Sequence, residues 1–197
     1  MNDTAPGLSP VDPSTIHFTG ENSFLRLKTD PASEEETTVC AHWRALISPG
    51  GPGTALFLRS DATDGEVRLY ADNEAMVRWL QELEAMLNPP FADKEMVVRP
   101  ATFRREGTVA GPYREIVESD DGIITLEWTD IGTPYMLRIP AGNDLTGEWG
   151  VYSCLAPTRS ATLDVAGRKA AGAAYANELA GHPSSSCCLA WSETWVK

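Results

Sequence analysis

The chain is poor in cysteine, histidine and positive charge, and it has no long apolar run. Its four cysteines, Cys40, Cys154, Cys187 and Cys188, include no Cys-x-x-Cys pair and lack the density of a secreted disulfide scaffold, so reduced thiols are expected. No stretch approaches the roughly 18 apolar residues of a membrane-spanning helix, and the leading MNDTAPGLSPVDPSTIHF shows no basic region followed by an apolar one. With 16 Lys and Arg against 28 Asp and Glu, the formal net charge of -12 repels nucleic acid and anionic membranes alike. A cytoplasmic protein with neither as partner is the expectation. Gly-rich phosphate cradles and nucleophile-elbow sequences are missing too, and Gly50-Gly51-Pro52-Gly53 reads as a turn. Nothing in the chain asks for a cofactor.

What is present begins with one helix. In DNEAMVRWLQELEAML (72–87), Met76, Trp79, Leu80, Leu83, Met86 and Leu87 repeat at helical spacing, and Glu74, Arg78, Gln81, Glu82 and Glu84 take the polar face. Asp72 or Asn73 can cap the first turn, and Asn88-Pro89-Pro90 stops the helix. No βαβ rhythm surrounds it.

Strand-like runs make up the rest. Residues 39–47 alternate, with Val39, Ala41, Trp43, Ala45 and Ile47 on one face and Cys40, His42, Arg44 and Leu46 on the other. Further strands are predicted over 54–59, 66–70, 96–106 (with Pro100 suited to an edge or bulge), 113–118, 123–131, 135–139, 147–155 and 186–196. In the last, Cys187, Leu189, Trp191, Glu193 and Trp195 share a face. The small-residue stretch 160–176 favours a hairpin turning near Gly167 over a helix. Residues 1–38 read as a loose arm, with a short strand or turn between 16 and 27, and an acidic link that adds little core; residues 39–197 read as the domain. The expected fold is all-β and mainly antiparallel: a barrel of about nine to ten strands with the amphipathic helix on or over it. The outline is lipocalin-like in architecture only. Gly147-Glu148-Trp149 carries Gly-x-Trp letters, but lies too late in the chain to support that family.

The candidate chemistry is placed in the barrel lumen. His42, Glu127 and Tyr152 are the expected proton carriers, Arg44 and Arg99 the expected clamps for an anionic oxygen, and Trp43, Trp128, Trp149 and Trp191 the apolar walls, with Trp195 also on a strand. Glu127 and Glu148 can equally sit on a solvated face. Cys40, His42, His182, Cys187 and Cys188 offer zinc-type ligands at a spacing that matches no standard site, so no metal is expected. The resulting expectation is cofactor-independent acid/base chemistry, such as isomerisation, cyclisation, hydration or elimination, on a largely apolar small organic molecule. The alternatives are a ligand carrier and an accessory subunit. The helix stripe and the open ends of a meander leave a homodimer possible in principle.

Overall fold

Period-two alternation repeated along a chain this long closes a sheet on itself. The computed structural model describes residues 15–144 and 146–197. Its strands are β1 (Ile16–Leu27), β2 (Thr38–Ile47), β3 (Gly53–Ser60), β4 (Val67–Ala71), β5 (Val98–Gly107), β6 (Tyr113–Ser119) and β7 (Gly122–Ile131). They continue with β8 (Tyr135–Ile139), β9 (Gly150–Val165), β10 (Arg168–Lys169), β11 (Ala176–Leu179), β12 (His182–Ser185) and β13 (Cys187–Val196). The one α-helix among the described residues is α1 (Glu74–Leu87). Nine strands form a ring in the order β9-β13-β1-β2-β3-β4-β5-β6-β7, closed by β7 on β9. The long β9 does two jobs: its first half pairs with β13 and β8, its second with β7. The predicted hairpin near Gly167 is the β9–β10 turn, with Ala166 and Gly167 both at positive φ.

Three expectations need correction. Residues 16–27 belong to the barrel, where β1 lies between β13 and β2, because Phe18, Leu25 and Leu27 supply fully buried side chains to its two faces. The barrel thus begins before residue 39; the rest of the proposed arm, 1–14, lies outside the described residues. Next, the sheet is mixed: β4 and β5 run parallel, Leu69 opposite Val98, because α1 is the crossover that joins them. One βαβ unit is therefore present. Finally, His182–Ser185, which lie outside every predicted strand, form β12 of a separate hairpin, β11–β12.

The sheet buries both faces in its middle. Leu25, Leu56, Leu58, Leu126, Trp128 and Leu189 fill the barrel interior, where a lipocalin-like outline would leave a lumen. Phe18, Val39, Trp43, Phe57, Leu69 and Trp195 lie on the outer face under α1. The helix presents Met76, Val77, Leu80, Gln81, Leu83 and Glu84 to that layer, while Met86 is 47% exposed. The buried stripe is thus rotated from the one the apolar spacing suggests, and it takes in two polar residues. The ring is closed and much of the helix stripe is covered within the chain.

Asn73 fixes where the helix starts. Its Oδ1 accepts from Met76 N at 3.2 Å, and its Nδ2 donates to the carbonyls of Gly50 and Pro52 at 3.1 and 2.8 Å, tying the β2–β3 turn to the first helical turn. The approach is close enough that a Cβ on Gly50 would lie 2.4 Å from Met76 Cα. Gly50→Ala is expected to lower stability by about 1–3 kcal/mol through this overpacking, read as a lower denaturant midpoint with an unchanged slope.

Candidate functional site

Two polar clusters flank the sheet, one on each face. Inside the barrel, β2 aims His42 and Arg44 inward, and they meet Glu115 of β6, Arg105 of β5 and Glu21 of β1. Glu115 is fully buried; its Oε1 accepts from Arg105 Nε at 2.6 Å and its Oε2 lies 3.4 Å from Arg44 Nη2 and 3.8 Å from His42 Nε2. His42 and Arg44, on one face of β2, thus both face Glu115. Their chemistry differs from the expectation: burial, followed by the charges of Arg44 and Arg105, pushes the His42 pKa down to about 3, so the ring is neutral throughout the physiological range. His42 Nε2 has no hydrogen-bond partner, and the side chain is sealed in the barrel at 1% exposure.

The remaining predicted residues scatter. Glu127 faces outward and pairs with Arg114. Tyr152 is 39% exposed beneath Arg138, and Glu148 pairs with Lys197 at 2.9 Å. Arg99 is held by Glu66 and Asp121, both at 2.8 Å. Trp128 is buried inside the barrel, its indole donating to Phe24 O at 3.2 Å; Trp191 lies beside Tyr113, and Trp149 beside His17. The predicted set makes no single site because its members stand on opposite faces of the sheet. All four cysteines are free thiols; Cys40 and Cys187 are buried inside the barrel, whereas His182 stacks on Tyr135. Among the described residues no three His, Cys, Asp or Glu side chains converge as metal ligands.

The outer face carries the cavity. A space of about 300 Å³ lies between the C-terminal end of α1, the outer face of β1, β13, β9 and β8, and the β11–β12 hairpin. Its apolar walls include Phe24, Leu137, Leu155 and Trp195, and its polar groups include Asn22, Arg26, Glu84, Asn88, Tyr175 and Glu193. Of the predicted walls only Trp43 serves it, through Glu84.

Glu84, on the polar face of the helix by its spacing, is fully buried. Trp43 Nε1 donates to its Oε2 at 2.7 Å, and Asn88, one turn on, donates to its Oε1. Arg26 in turn donates to Asn88 Oδ1 and to Glu36, the latter at 3.2 Å, and Tyr175 also donates to Glu36. A continuous hydrogen-bonded chain therefore runs from the acidic link to the cavity, a role the link was not expected to have.

Glu193 reaches the cavity by way of a bulge. Along β13, Cys187, Leu189 and Trp191 point into the barrel, as strict alternation requires. Ser192 then takes φ 55°, and three steps on β13 (Trp191 to Thr194) oppose two on β9 (Cys154 to Tyr152). The extra residue reverses the parity, so that Glu193 and Trp195 emerge under the helix with Cys188 and Ala190. Trp195 Nε1 donates to Glu193 Oε1 at 2.6 Å, and the carboxylate is 4% exposed.

Burial pushes both carboxyls up to about 7, against the pull of the indole donors, and the negative charge of Glu193 adds to the rise at Glu84. Two acids in one cavity are thus each partly protonated near neutrality. Neither was singled out from sequence. The readable signals were the Glu84–Asn88 pair at i, i+4 and a carboxylate set between two tryptophans in the last strand.

Compared with known proteins, the chain matches no family model, no curated protein and no solved structure. No helix among the described residues is long and apolar enough to cross a membrane.

Proposed function

We propose that the protein is a small-molecule enzyme that performs cofactor-independent acid/base chemistry, of the isomerase, cyclase or lyase type, in the cavity beneath α1 rather than in the barrel lumen. The observation that carries this reading is the pair of buried carboxyls, Glu84 and Glu193, in an otherwise largely apolar cavity. A group whose pKa is near 7 both accepts and returns a proton at little cost, which is what general acid/base catalysis requires. Glu193 is the proton carrier in this scheme. Glu84, gripped by Trp43 and Asn88, holds a second carboxyl in the cavity, while Arg26 and Asn22 orient the polar end of the substrate. At about 300 Å³ the space suits a compact organic molecule at the small end of ligand pockets. A cytoplasmic setting accords with the four free thiols.

A carrier role is the second reading, favoured by the full occupation of both Glu84 oxygens by protein donors. Turnover separates the two. Once a substrate is found by screening small molecules, Glu193→Gln is expected to lower kcat by about 100-fold or more with a smaller change in KM. Recovery of every bound compound unchanged would transfer the assignment to the carrier.

A further inference from the structure

We infer that the cavity takes a small organic cation: an ammonium group on a compact apolar body. This rests on the reading of the cavity as the functional site and adds the charge of its ligand. Three charged side chains line the space, Arg26, Glu84 and Glu193. The charge of Arg26 is already committed, since its guanidinium lies 3.2 Å from Glu36. Neither Glu84 nor Glu193 has an ion-pair partner among the described residues, although they are 0% and 4% exposed. Two buried carboxylates therefore face one cavity with no uncommitted cation to balance them.

A carboxylate in such a place is relieved by taking a proton or by meeting a positive charge. An anionic ligand would add a third negative charge, and a neutral one would leave the imbalance as it is. An ammonium group corrects it and brings several N–H donors that need acceptors. A second observation supplies one. Asn22 also lines the cavity, is 8% exposed, and its Oδ1 is a buried acceptor with no hydrogen-bond partner. The side chains of Trp195, Phe24 and Leu155 suit the apolar body, and an aromatic wall favours a cation over a neutral group of the same shape.

The groups facing Glu193 and Glu84 define the pH response. They are Arg26 from β1, Tyr175 ahead of β11, Glu36 behind Arg26, and Cys40 across β2 from Glu84. Burial holds the two cavity carboxyls themselves at about 7. Affinity for a cation accordingly rises with pH over that range, and binding below neutrality displaces protons.

Isothermal titration with three probes of one shape tests this: cyclohexylamine, cyclohexanol and cyclohexanecarboxylate. Near pH 8 the amine, present as its ammonium ion, is expected to bind about 10-fold or more tightly than the alcohol, with the advantage shrinking toward pH 5. Glu193→Gln and Asn22→Leu are each expected to bring the ratio of amine to alcohol affinity close to one. If the alcohol or the carboxylate binds as well as the amine, and the cavity-filling Leu155→Trp blocks that binding, the cavity reading stands and the cation inference falls. Binding of none of the three by the parent protein overturns both.

Discussion

Replacing Glu115 with alanine is expected to lower the stability of the protein by about 3 kcal/mol, the low end of the loss seen when one member of a buried ion pair is removed. The low end applies because Arg105 and Arg44, 32% and 30% exposed, keep some solvent and retain Glu21. What is lost is the fully buried one of the two carboxylates that reach both guanidiniums, together with the group facing the otherwise unpartnered His42 Nε2. For a domain stable by about 5–15 kcal/mol, the change is visible as a large drop in the urea midpoint. Glu115→Gln keeps the shape and an acceptor and is expected to lose less. An unchanged midpoint for the alanine variant would show that the internal cluster contributes nothing to the fold.

Glu193→Gln is expected to be more stable than the parent above pH 7, by on the order of 3 kcal/mol, and equal to it below about pH 4.5. The sign follows from the protons bound. A carboxyl raised from 4.5 to about 7 holds its proton longer in the folded state than in the unfolded one. Its contribution to stability is complete below 4.5, declines as pH rises through the window to about 7, and stays lost above it. Gln keeps an acceptor for Trp195 and carries no charge to bury, so it lacks that decline. The difference between variant and parent melting temperatures, followed from pH 4 to pH 8, isolates this one group from opposing ones such as His42, whose pKa shift has the opposite sense. A variant less stable than the parent at pH 8 would mean that Glu193 is a structural hydrogen-bonding residue. A variant both more stable and inactive would mark a carboxylate kept at the expense of stability, as expected of a working acid.

Much of the barrel was legible because its information is local. Alternation over 39–47, 113–118 and 123–131, the Asp-Gly turn between the last two, and the small residues around Gly167 each bias a few neighbouring dihedrals, and each element appears where those biases place it. The helix ends were legible for the same reason, through Asn73 and the Asn88-Pro89-Pro90 stop. The facing of the helix was not. Glu84 carries a charge, and charge is ordinarily solvated; its burial is made tolerable by Asn88 together with the indole of Trp43, 41 positions earlier.

The candidate site was barely legible. Trp43, expected to wall the same lumen as His42 and Arg44, lies on the opposite face of the sheet and backs the cavity only through Glu84. Glu193 was read with Trp191 because the letters from 186 to 196 alternate without a break. The bulge at Ser192 leaves no mark in that pattern, since one residue in a left-handed conformation reverses every later side chain without changing a letter. By itself, the sequence determined most of the strand segments and where the helix begins and ends. The tertiary structure alone decided which face of each strand meets which partner, because that depends on the parity of a bulge, the closure of β7 on β9 and the side on which α1 crosses. Those choices placed two unpaired carboxylates in one cavity.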